Sequence, residues 1–242
     1  MRTRAKQCSE LSARLRAKGS SRTLVLHELH VYRERELRSA AMNMAIDEAL
    51  FKYATAPSLR FYGWKRPSLS FGYFGAYADV AAEESGRDLV RRWTGGGIVL
   101  HGEDLTYSII LPFQQEMQPQ PSRVVYNEVH GAIQRALSGI MDVALATQDA
   151  PKISDLCFAN PVRSDVLLAG RKIAGAAQRR TRAGLLHQGS IQCDALLPSF
   201  ENRFASALCP HFEPRVFSEE LLERAQLLAT QKYETVEWLR QR

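Results

Sequence analysis

The sequence contains no apolar run of the roughly 18–20 residues that a membrane span requires, and no apolar segment that would mark a signal peptide. We therefore expect no membrane span, and we predict a cytoplasmic protein. Cysteine is scarce: Cys8, Cys157, Cys193 and Cys209 are far apart, and no two of them form a CxxC pair. This spacing indicates neither a disulfide framework nor a zinc site, so no metal centre is predicted.

Acidic residues are nearly absent from the start of the chain. Residues 1–22 hold seven Lys or Arg and one Glu, so this segment accounts for the whole net charge of +6. The rest of the chain carries 25 basic and 25 acidic residues. A nucleic-acid-binding protein would carry basic residues across its folded body, so we predict no nucleic-acid partner. We interpret residues 1–22 as a flexible basic extension and residues 23–242 as a single domain.

Alternating and apolar segments predict short strands in groups, with helices between the groups. The predicted strands comprise residues 23–32, 59–64, 68–74, 89–92, 98–100, 105–111, 164–168, 171–173 and 184–193. The predicted helices comprise residues 40–53, 77–85, 122–143, 199–207, 218–230 and 236–242. Because the pattern shows no regular strand–helix–strand alternation and no internal repeat, we predict an α+β fold in which mixed β-sheets are flanked by helices.

Three consecutive glycines, Gly95, Gly96 and Gly97, follow the basic pair Arg91 and Arg92 in the segment RRWTGGGIVLH. Glycine permits positive φ angles and close approach of another group to the backbone, and it weakens a strand interior. The segment lacks the Gly-Lys-Ser/Thr of a Walker loop and the spacing of a GxGxxG motif. Exposed backbone N–H groups beside arginine favour a site for a carboxylate, a phosphate or a developing oxyanion. The alternative interpretation is an ordinary glycine-rich turn.

A second segment, GRKIAGAAQRR, places Lys172 among small residues that include Gly175 and Ala176. Small residues leave room for a ligand beside the backbone, and a lysine there can hold an anion or polarise a carbonyl group. Without the rest of the sequence, Lys172 would be interpreted as an ordinary hairpin lysine.

Taken together, the segments RRWTGGGIVLHGEDLTYS, SDVLLAGRKIAGAAQRR and LLHQGSI resemble the lipoate–protein ligase and octanoyltransferase family, which is related to the biotin–protein ligases. The predicted helix that contains NMAIDEAL is similar to the N-terminal helix of that family. The resemblance covers about residues 24–195 and implies a biotin/lipoate protein ligase-like catalytic domain. It also implies an acyl-chain tunnel between the glycine segment and the lysine strand.

The family that the chain resembles carries out two chemistries, which differ in the acyl donor. Ligases activate free lipoate with ATP and Mg²⁺ and pass it on through an acyl-adenylate. Transferases take an octanoyl or lipoyl group from acyl carrier protein, or from another lipoyl domain, through a cysteine thioester and require no cofactor. In both cases the resemblance implies an acceptor lysine on a lipoyl domain of a 2-oxoacid dehydrogenase or on a glycine-cleavage H protein.

Cys157 in LCFAN, shortly before the lysine segment, is similar in position to the nucleophilic cysteine of cysteine-dependent octanoyltransferases. Cysteine is a strong nucleophile near neutral pH, and a thioester keeps an acyl group activated without ATP; the alternative is a small buried cysteine. We expect the last fifty or so residues to be helices of the same domain rather than the accessory domain of the ligases. Gly97, in contrast, matches the ligase form of the glycine segment. We predict a transferase, with an ATP-dependent ligase as the alternative and a non-catalytic binding protein as the third interpretation.

The resemblance also implies the roles of individual residues. Cys157 is predicted as the nucleophile, and Lys172 as the group that positions the thioester carbonyl. His101 would order the glycine segment or shuttle protons, with a structural histidine as the alternative. Asp165 would hold Lys172 or, if ATP is used, a ribose. The residues predicted to bind substrate are Arg91, Arg92, Gly95, Gly96, Gly97, His101, Asp165, Gly175 and Ala176.

Overall fold

The computed structural model describes residues 24–113 and 120–241, so the predicted extension over residues 1–22 lies outside the described residues. The strands are β1 Leu29–Arg33, β2 Ser58–Tyr62, β3 Ser68–Phe71, β4 Asp88–Arg91, β5 Val99–His101, β6 Leu105–Pro112, β7 Val143–Leu145, β8 Val166–Leu168, β9 Arg171–Arg180, β10 Gly184–Ile191 and β11 Phe212–Arg215. The α-helices are α1 Ala40–Tyr53, α2 Ser122–Leu137, α3 Phe200–Leu208, α4 Glu219–Leu228 and α5 Val236–Arg240. Within the described ranges, no helix has the length and hydropathy needed to cross a membrane.

The strands of the described residues form a large and a small sheet. Eight strands pair in the order β11-β1-β2-β6-β10-β9-β8-β7, and β4-β3-β5 form the separate small sheet. Strand β1 is parallel to both of its neighbours, whereas the pairs from β2 to β7 in this order are antiparallel. In the small sheet, β3 is parallel to β4 and antiparallel to β5. The predicted α+β architecture with mixed sheets is therefore confirmed.

Alternation along the strands gives the large sheet two apolar faces. In β6, Ile109 belongs to one cluster of buried side chains and Ile110 to another, and Leu185 and Leu186 of β10 divide in the same way. This division follows from the strand geometry, since successive side chains point to opposite faces. Helices α2 and α3 supply the first cluster, and α1 and α4 supply the second. The large sheet is thus covered by helices on both faces.

Helix α1 begins as predicted, with the Ser39 side chain accepting a hydrogen bond from Met42 N at 3.2 Å. The helix carries two acidic side chains, Asp47 and Glu48, and both are buried. Helix α1 lies between the large sheet and α4, so its flanks do not face water. Cations satisfy both carboxylates: Arg60 donates to Asp47 at 2.6 Å, and two lysines pair with Glu48.

Several boundaries differ from the prediction for physical reasons. The predicted strands over residues 98–100 and 105–111 correspond to β5 and β6, which belong to different sheets, so the short segment between them connects the two sheets instead of closing a hairpin. Strand β9 extends through its Gly- and Ala-rich part, where strand propensity is low, because it pairs with β10 along that length. The predicted helix over residues 122–143 ends at Leu137, and Gly139, with a φ of 78°, turns the chain toward β7. The sequence pattern does not predict the edge strands β7 and β11.

Candidate active site

A cavity lies where residues of the small sheet meet strands β9 and β10 of the large sheet. Its walls enclose about 480 Å³, including the part that opens to solvent. Small and apolar side chains contribute to the lining, among them Met44, Val99, Phe158 and Ala177. Six of the eleven predicted site residues also line it: Arg92, His101, Cys157, Lys172, Gly175 and Ala176.

Arg92 holds the glycine segment from the inside. Its guanidinium donates to the carbonyl oxygens of Gly95 and Gly97, each at 2.9 Å, and to the Ser70 carbonyl oxygen at 2.7 Å. A further N–H group donates to Ser70 Oγ at 2.8 Å, so four of the five guanidinium donors bond within the protein. Burial lowers the pKa of Arg92. Arg92 therefore shapes the glycine segment. Few of its N–H donors remain for the contact with substrate that the sequence predicts.

Backbone conformation explains one of the three glycines, and close packing explains another. Gly96 has a φ of 85°, a conformation that favours glycine. A Cβ on Gly97 would lie 2.5 Å from the Asp155 carbonyl oxygen and 3.2 Å from Cys157 Sγ. A Cβ on Gly95, in contrast, would meet no atom within 4 Å. The third glycine is thus required by the segment that carries Cys157.

Arg91 points away from the cavity, which corrects the prediction that it binds substrate. Its guanidinium donates, at 2.7–3.3 Å, to the carbonyl oxygens of Tyr73, Gly75, Trp238 and Leu239. The indole N–H of Trp238 donates in return to the Arg91 carbonyl oxygen at 3.0 Å. Because consecutive residues of an extended chain point to opposite sides, Arg92 reaches the glycine segment while Arg91 fastens helix α5.

Cys157 opens a short 3₁₀ turn, Cys157–Ala159, between β7 and β8. This part of the chain docks beside the glycine segment: Ile98 N donates to Asp155 O at 3.0 Å, and Cys157 N donates to Ile98 O at 2.9 Å. The Cys157 sulfur accepts a hydrogen bond from Gly97 N at 3.1 Å. A backbone N–H aimed at the sulfur stabilises negative charge there. The residue is only partly buried, so a substrate can reach it.

Asn160 shapes the turn around Cys157 and is missed by the sequence analysis. Its Oδ1 accepts a hydrogen bond from Ile153 N at 2.7 Å. Its Nδ2 donates to the carbonyl oxygens of Ser154 at 2.6 Å and Leu156 at 3.0 Å. Asparagine side chains commonly form hydrogen bonds with the nearby backbone in turns. The asparagine of LCFAN is therefore the sequence signal for this turn.

Lys172 enters the cavity from β9 and contacts the Cys157 turn. Its Nζ lies 2.8 Å from Asp165 Oδ2 and donates to the Cys157 carbonyl oxygen at 3.1 Å. A register shift against β8 places an extra residue in β9 next to Lys172, and such a bulge re-aims a side chain. Gly175 supplies the space, since a Cβ there would lie 2.2 Å from Lys172 Cε and 2.6 Å from Nζ.

Asp165 is fully buried behind Lys172 and does not line the cavity. Its Oδ2 faces Lys172 and accepts a hydrogen bond from Val162 N at 2.7 Å. Its Oδ1 accepts from the hydroxyl of Tyr126, a residue of α2 that the sequence analysis misses. Of the two roles predicted for Asp165, these contacts fit the one in which it holds Lys172.

His101 is fixed by partners on both ring nitrogens. Nδ1 lies 2.8 Å from Asp104 Oδ2 and Nε2 lies 2.7 Å from Ser70 Oγ, while the ring stacks on Trp64 at 4.0 Å. Burial lowers the pKa of His101, although Asp104 opposes this effect, so the ring is neutral at pH 7. Nδ1–H then donates to Asp104, and Nε2 accepts from Ser70, which also bonds Arg92. These contacts fit the predicted role of ordering the glycine segment.

Polar side chains in the lining are bonded to one another. Gln188 accepts from Thr94 Oγ1 at 2.7 Å and donates to Asp47 Oδ2 at 2.7 Å, and this network is not predicted from the sequence. Among residues 24–113 and 120–241, no three His, Cys, Asp or Glu side chains are grouped as metal ligands would be. With its polar lining internally paired, the cavity suits an uncharged chain that ends near a sulfur and a lysine.

Comparison with known proteins identifies the family. Residues 39–214 match the family model of the lipoyl protein ligase A/B catalytic domain, a range that contains every predicted site residue. The chain belongs to this family. It is 35% identical to the octanoyltransferase LipM of Oceanobacillus iheyensis over 225 residues, which is 87% of this chain and 82% of that protein.

Solved structures share the fold. The crystal structure of lipoate-protein ligase A bound with ATP matches with a TM-score of 0.67 at 20% identity, and the match covers 89% of this chain and 98% of that one. A bi-partite lipoate protein ligase from Thermoplasma acidophilum, analysed together with its E2 lipoyl domain, gives a TM-score of 0.64 at 20% identity, covering 88% and 96%. At this identity the likeness concerns the fold alone, and it confirms the predicted lipoate protein ligase-like architecture.

Proposed function

We propose that this protein is an octanoyltransferase that carries the acyl group on Cys157 and delivers it to a lysine of a lipoyl domain. The observation that carries the proposal is the setting of the Cys157 sulfur. Gly97 N donates to the sulfur at 3.1 Å, and Lys172 Nζ bonds the carbonyl oxygen of the same cysteine at 3.1 Å. A backbone donor and a cation thus stand beside a partly exposed thiol, as an anionic nucleophile requires. The similarity to an octanoyltransferase LipM supports octanoyl as the acyl group.

In the first half-reaction, the Cys157 sulfur attacks the thioester carbonyl of an octanoyl-loaded carrier. The bond between the carbonyl carbon and the carrier sulfur breaks, and the proton of the Cys157 thiol goes to that sulfur. The Lys172 ammonium has three N–H donors, of which Asp165 and the Cys157 carbonyl occupy two. The third is available for the negative charge that develops on the carbonyl oxygen.

In the second half-reaction, the neutral amine of the acceptor lysine attacks the acyl thioester on Cys157. An amide bond forms, the Cys157 sulfur leaves, and it takes up the proton that the amine releases. The Gly97 N–H stabilises the sulfur while it is anionic. Because a thioester supplies the activated acyl group, we propose that the transfer requires neither a nucleotide nor a metal.

The proposed donor is octanoyl–acyl carrier protein, and the proposed acceptor is a lipoyl domain of a 2-oxoacid dehydrogenase or a glycine-cleavage H protein. The E2 lipoyl domain analysed with the T. acidophilum ligase supports an acceptor of this type. The turn that carries Cys157 also exposes apolar surface, with Ile153 79% and Leu156 42% exposed. A carrier domain that brings an acyl chain or a lysine to Cys157 would cover these side chains.

The second candidate is an ATP-dependent lipoate ligase, in which Lys172 and Arg92 would hold an acyl-adenylate with Mg²⁺. The observation in its favour is Gly97, the ligase form of the glycine motif. The packing of Asp155 against Gly97 accounts for that glycine without a nucleotide. Arg92, moreover, has committed four donors to the protein itself. These contacts favour the transferase.

The test is intact-mass analysis after incubation with octanoyl–acyl carrier protein in the absence of ATP. We expect one octanoyl adduct that hydroxylamine removes, and no adduct on Cys157→Ala. Cys193→Ala is the matched control, because Cys193 lies at a sheet end beside Met141 and away from the cavity lining. An adduct that persists in Cys157→Ala would contradict the nucleophile, and an adduct that forms only with ATP and lipoate or octanoate would establish the ligase.

A further inference from the structure

Tyr126 contacts the carboxylate that holds Lys172, although it does not line the acyl cavity itself. Its hydroxyl donates to Asp165 Oδ1, while Oδ2 of the same carboxylate faces Lys172 Nζ at 2.8 Å. Oδ2 also accepts from Val162 N at 2.7 Å. The carboxylate is therefore oriented by a phenol on one oxygen and by the backbone on the other.

The direction of the bond between Tyr126 and Asp165 is fixed by a third group. Ala176 N, in the cavity wall, donates to the Tyr126 hydroxyl oxygen at 3.2 Å. A peptide N–H can only donate, so the single proton of the phenol is directed to Asp165. Burial, and then the charge of Asp165, raise the pKa of Tyr126, so the phenol remains a donor across the pH range of an assay. Tyr126 thus connects the cavity wall to the buried carboxylate.

Helix α2 also fixes the backbone that carries Asp165. The Tyr126 ring packs edge-on against His130 at 4.2 Å, and His130 Nδ1 bonds the Ser164 carbonyl oxygen at 2.7 Å. Ser164 has a φ of 71°, which is rare for a residue with a side chain, and its hydroxyl donates to Asn127 at 3.0 Å. One face of α2 therefore holds the residue before Asp165, while Tyr126 holds Asp165 itself.

We infer that Tyr126 is a positioning residue of acyl transfer, which acts through Asp165 to place the Lys172 ammonium beside Cys157. The inference rests on the proposed function. Lysine is a point charge on a long flexible stem, so its position depends on the partner that receives it. Small displacements of a group that stabilises the reacting carbonyl lower the rate strongly.

The test compares Tyr126→Phe with wild type in single-turnover acylation of Cys157 by octanoyl–acyl carrier protein across a range of carrier concentrations. The ring and its packing on His130 remain, so we expect the protein to fold. We expect acylation to slow by about tenfold, the effect of one hydrogen bond to a charged group. The KM for the carrier should not change. Tyr233→Phe is the matched control, because Tyr233 donates to a buried carboxylate, Glu48, outside the site.

A double-mutant cycle separates positioning from a general loss of stability. If Tyr126 acts through Asp165, Tyr126→Phe should have little further effect in an Asp165→Asn background. A wild-type rate for Tyr126→Phe, or an equal loss in both backgrounds, would overturn the inference. Failure of the proposed function is distinct from this outcome, because wild type itself would then form no adduct without ATP.

Discussion

The two walls of the cavity use their buried cations differently. In the glycine wall, residues 92–101, Arg92 directs four donors to Ser70, Gly95 and Gly97. In the lysine wall, residues 165–177, Lys172 has two partners, Asp165 and the Cys157 carbonyl. A planar guanidinium with five fixed donors suits the shaping of a loop, whereas a compact ammonium suits one reacting oxygen. These contacts fit the proposal that Arg92 shapes the loop while Lys172 acts on the reacting carbonyl group.

The walls also differ in what lies behind them. The glycine wall is shaped by close backbone contacts, such as the carbonyl oxygen of Gly96 against Gly72, where a Cβ would lie 2.0 Å away. The lysine wall is backed by side chains of α2, which reach it through Asp165. Substitutions in the glycine wall should therefore change its shape. Substitutions in the lysine wall should change the position and charge of its functional groups.

The largest expected effect concerns the identity of the cation in the lysine wall. We expect Lys172→Arg to slow acylation nearly as much as Lys172→Ala, by about 10²–10³, because the guanidinium is bulkier and its donors lie elsewhere. Single-turnover acylation of Cys157 measures this rate. An arginine variant with near-normal transfer would show that any cation suffices and would remove the contrast between the walls.

Stability has to be separated from chemistry in this experiment. Lys172→Ala leaves the fully buried Asp165 without a cation, so we expect the melting temperature to fall. Adding Asp165→Asn removes the unpaired charge and should restore the melting temperature but not the acylation rate. Recovery of both would assign Lys172 to folding alone.

The next effect concerns the neighbouring arginines. We expect Arg92→Lys to slow acylation by about tenfold, because one ammonium cannot span Gly95, Gly97 and Ser70, and the Gly97 N–H then moves from the sulfur. Arg91→Lys should lower stability but change acylation by less than about threefold, since part of its contacts fasten α5. Equal losses of transfer in the two variants would contradict the separate roles of these residues.

The sequence predicts the chemical groups of the site better than the contacts that place them. The start of α1 at Ala40 is predicted, because the Ser39 cap and the helix that follows it are local in the sequence. Cys157 and Lys172 are paired by family resemblance, and the structure brings both to one cavity. The adjacent arginines could not be told apart, because their partners, Gly97 and Leu239, lie in different directions from the same strand end.

The residues that sequence reasoning missed act through segments far apart in the chain. Tyr126 is 39 residues from Asp165, and Gln188 is 94 residues from Thr94, so no local pattern records either pair. The edge strand β11, with the sequence FEPR, is too short to show alternation and contains a proline that an edge tolerates. It forms because the side of β1 that faces away from β2 offers free backbone groups, with which β11 pairs in parallel.

The smallest effect concerns the histidine behind the lysine wall. His130 Nδ1 bonds Ser164, but within the described residues its Nε2 has no partner, whereas His101 in the glycine wall has a partner on each nitrogen. Burial lowers the pKa of His130 to about 4. An unfolded histidine binds a proton near pH 6.5, so between about pH 6.5 and 4 the unfolded state holds more protons than the folded state. The stability that the neutral His130 provides is present above pH 6.5 and is lost as the pH falls from about 6.5 to about 4.

From pH 7 to pH 5 we therefore expect His130 alone to lower the free energy of unfolding by about 2 kcal/mol. Urea unfolding of wild type and His130→Gln at both pH values measures it, and the difference between the two pH values removes any constant cost of the substitution. Between these two pH values, the free energy of unfolding should fall by about 2 kcal/mol less in the variant than in wild type. Some pH dependence should remain, because burial also lowers the pKa of His101 and His187. The exposed His211, changed to Gln, is the control. Equal losses of unfolding free energy in wild type and His130→Gln would mean that His130 is charged or hydrated in the folded protein. The side chains behind the lysine wall would then not exclude water.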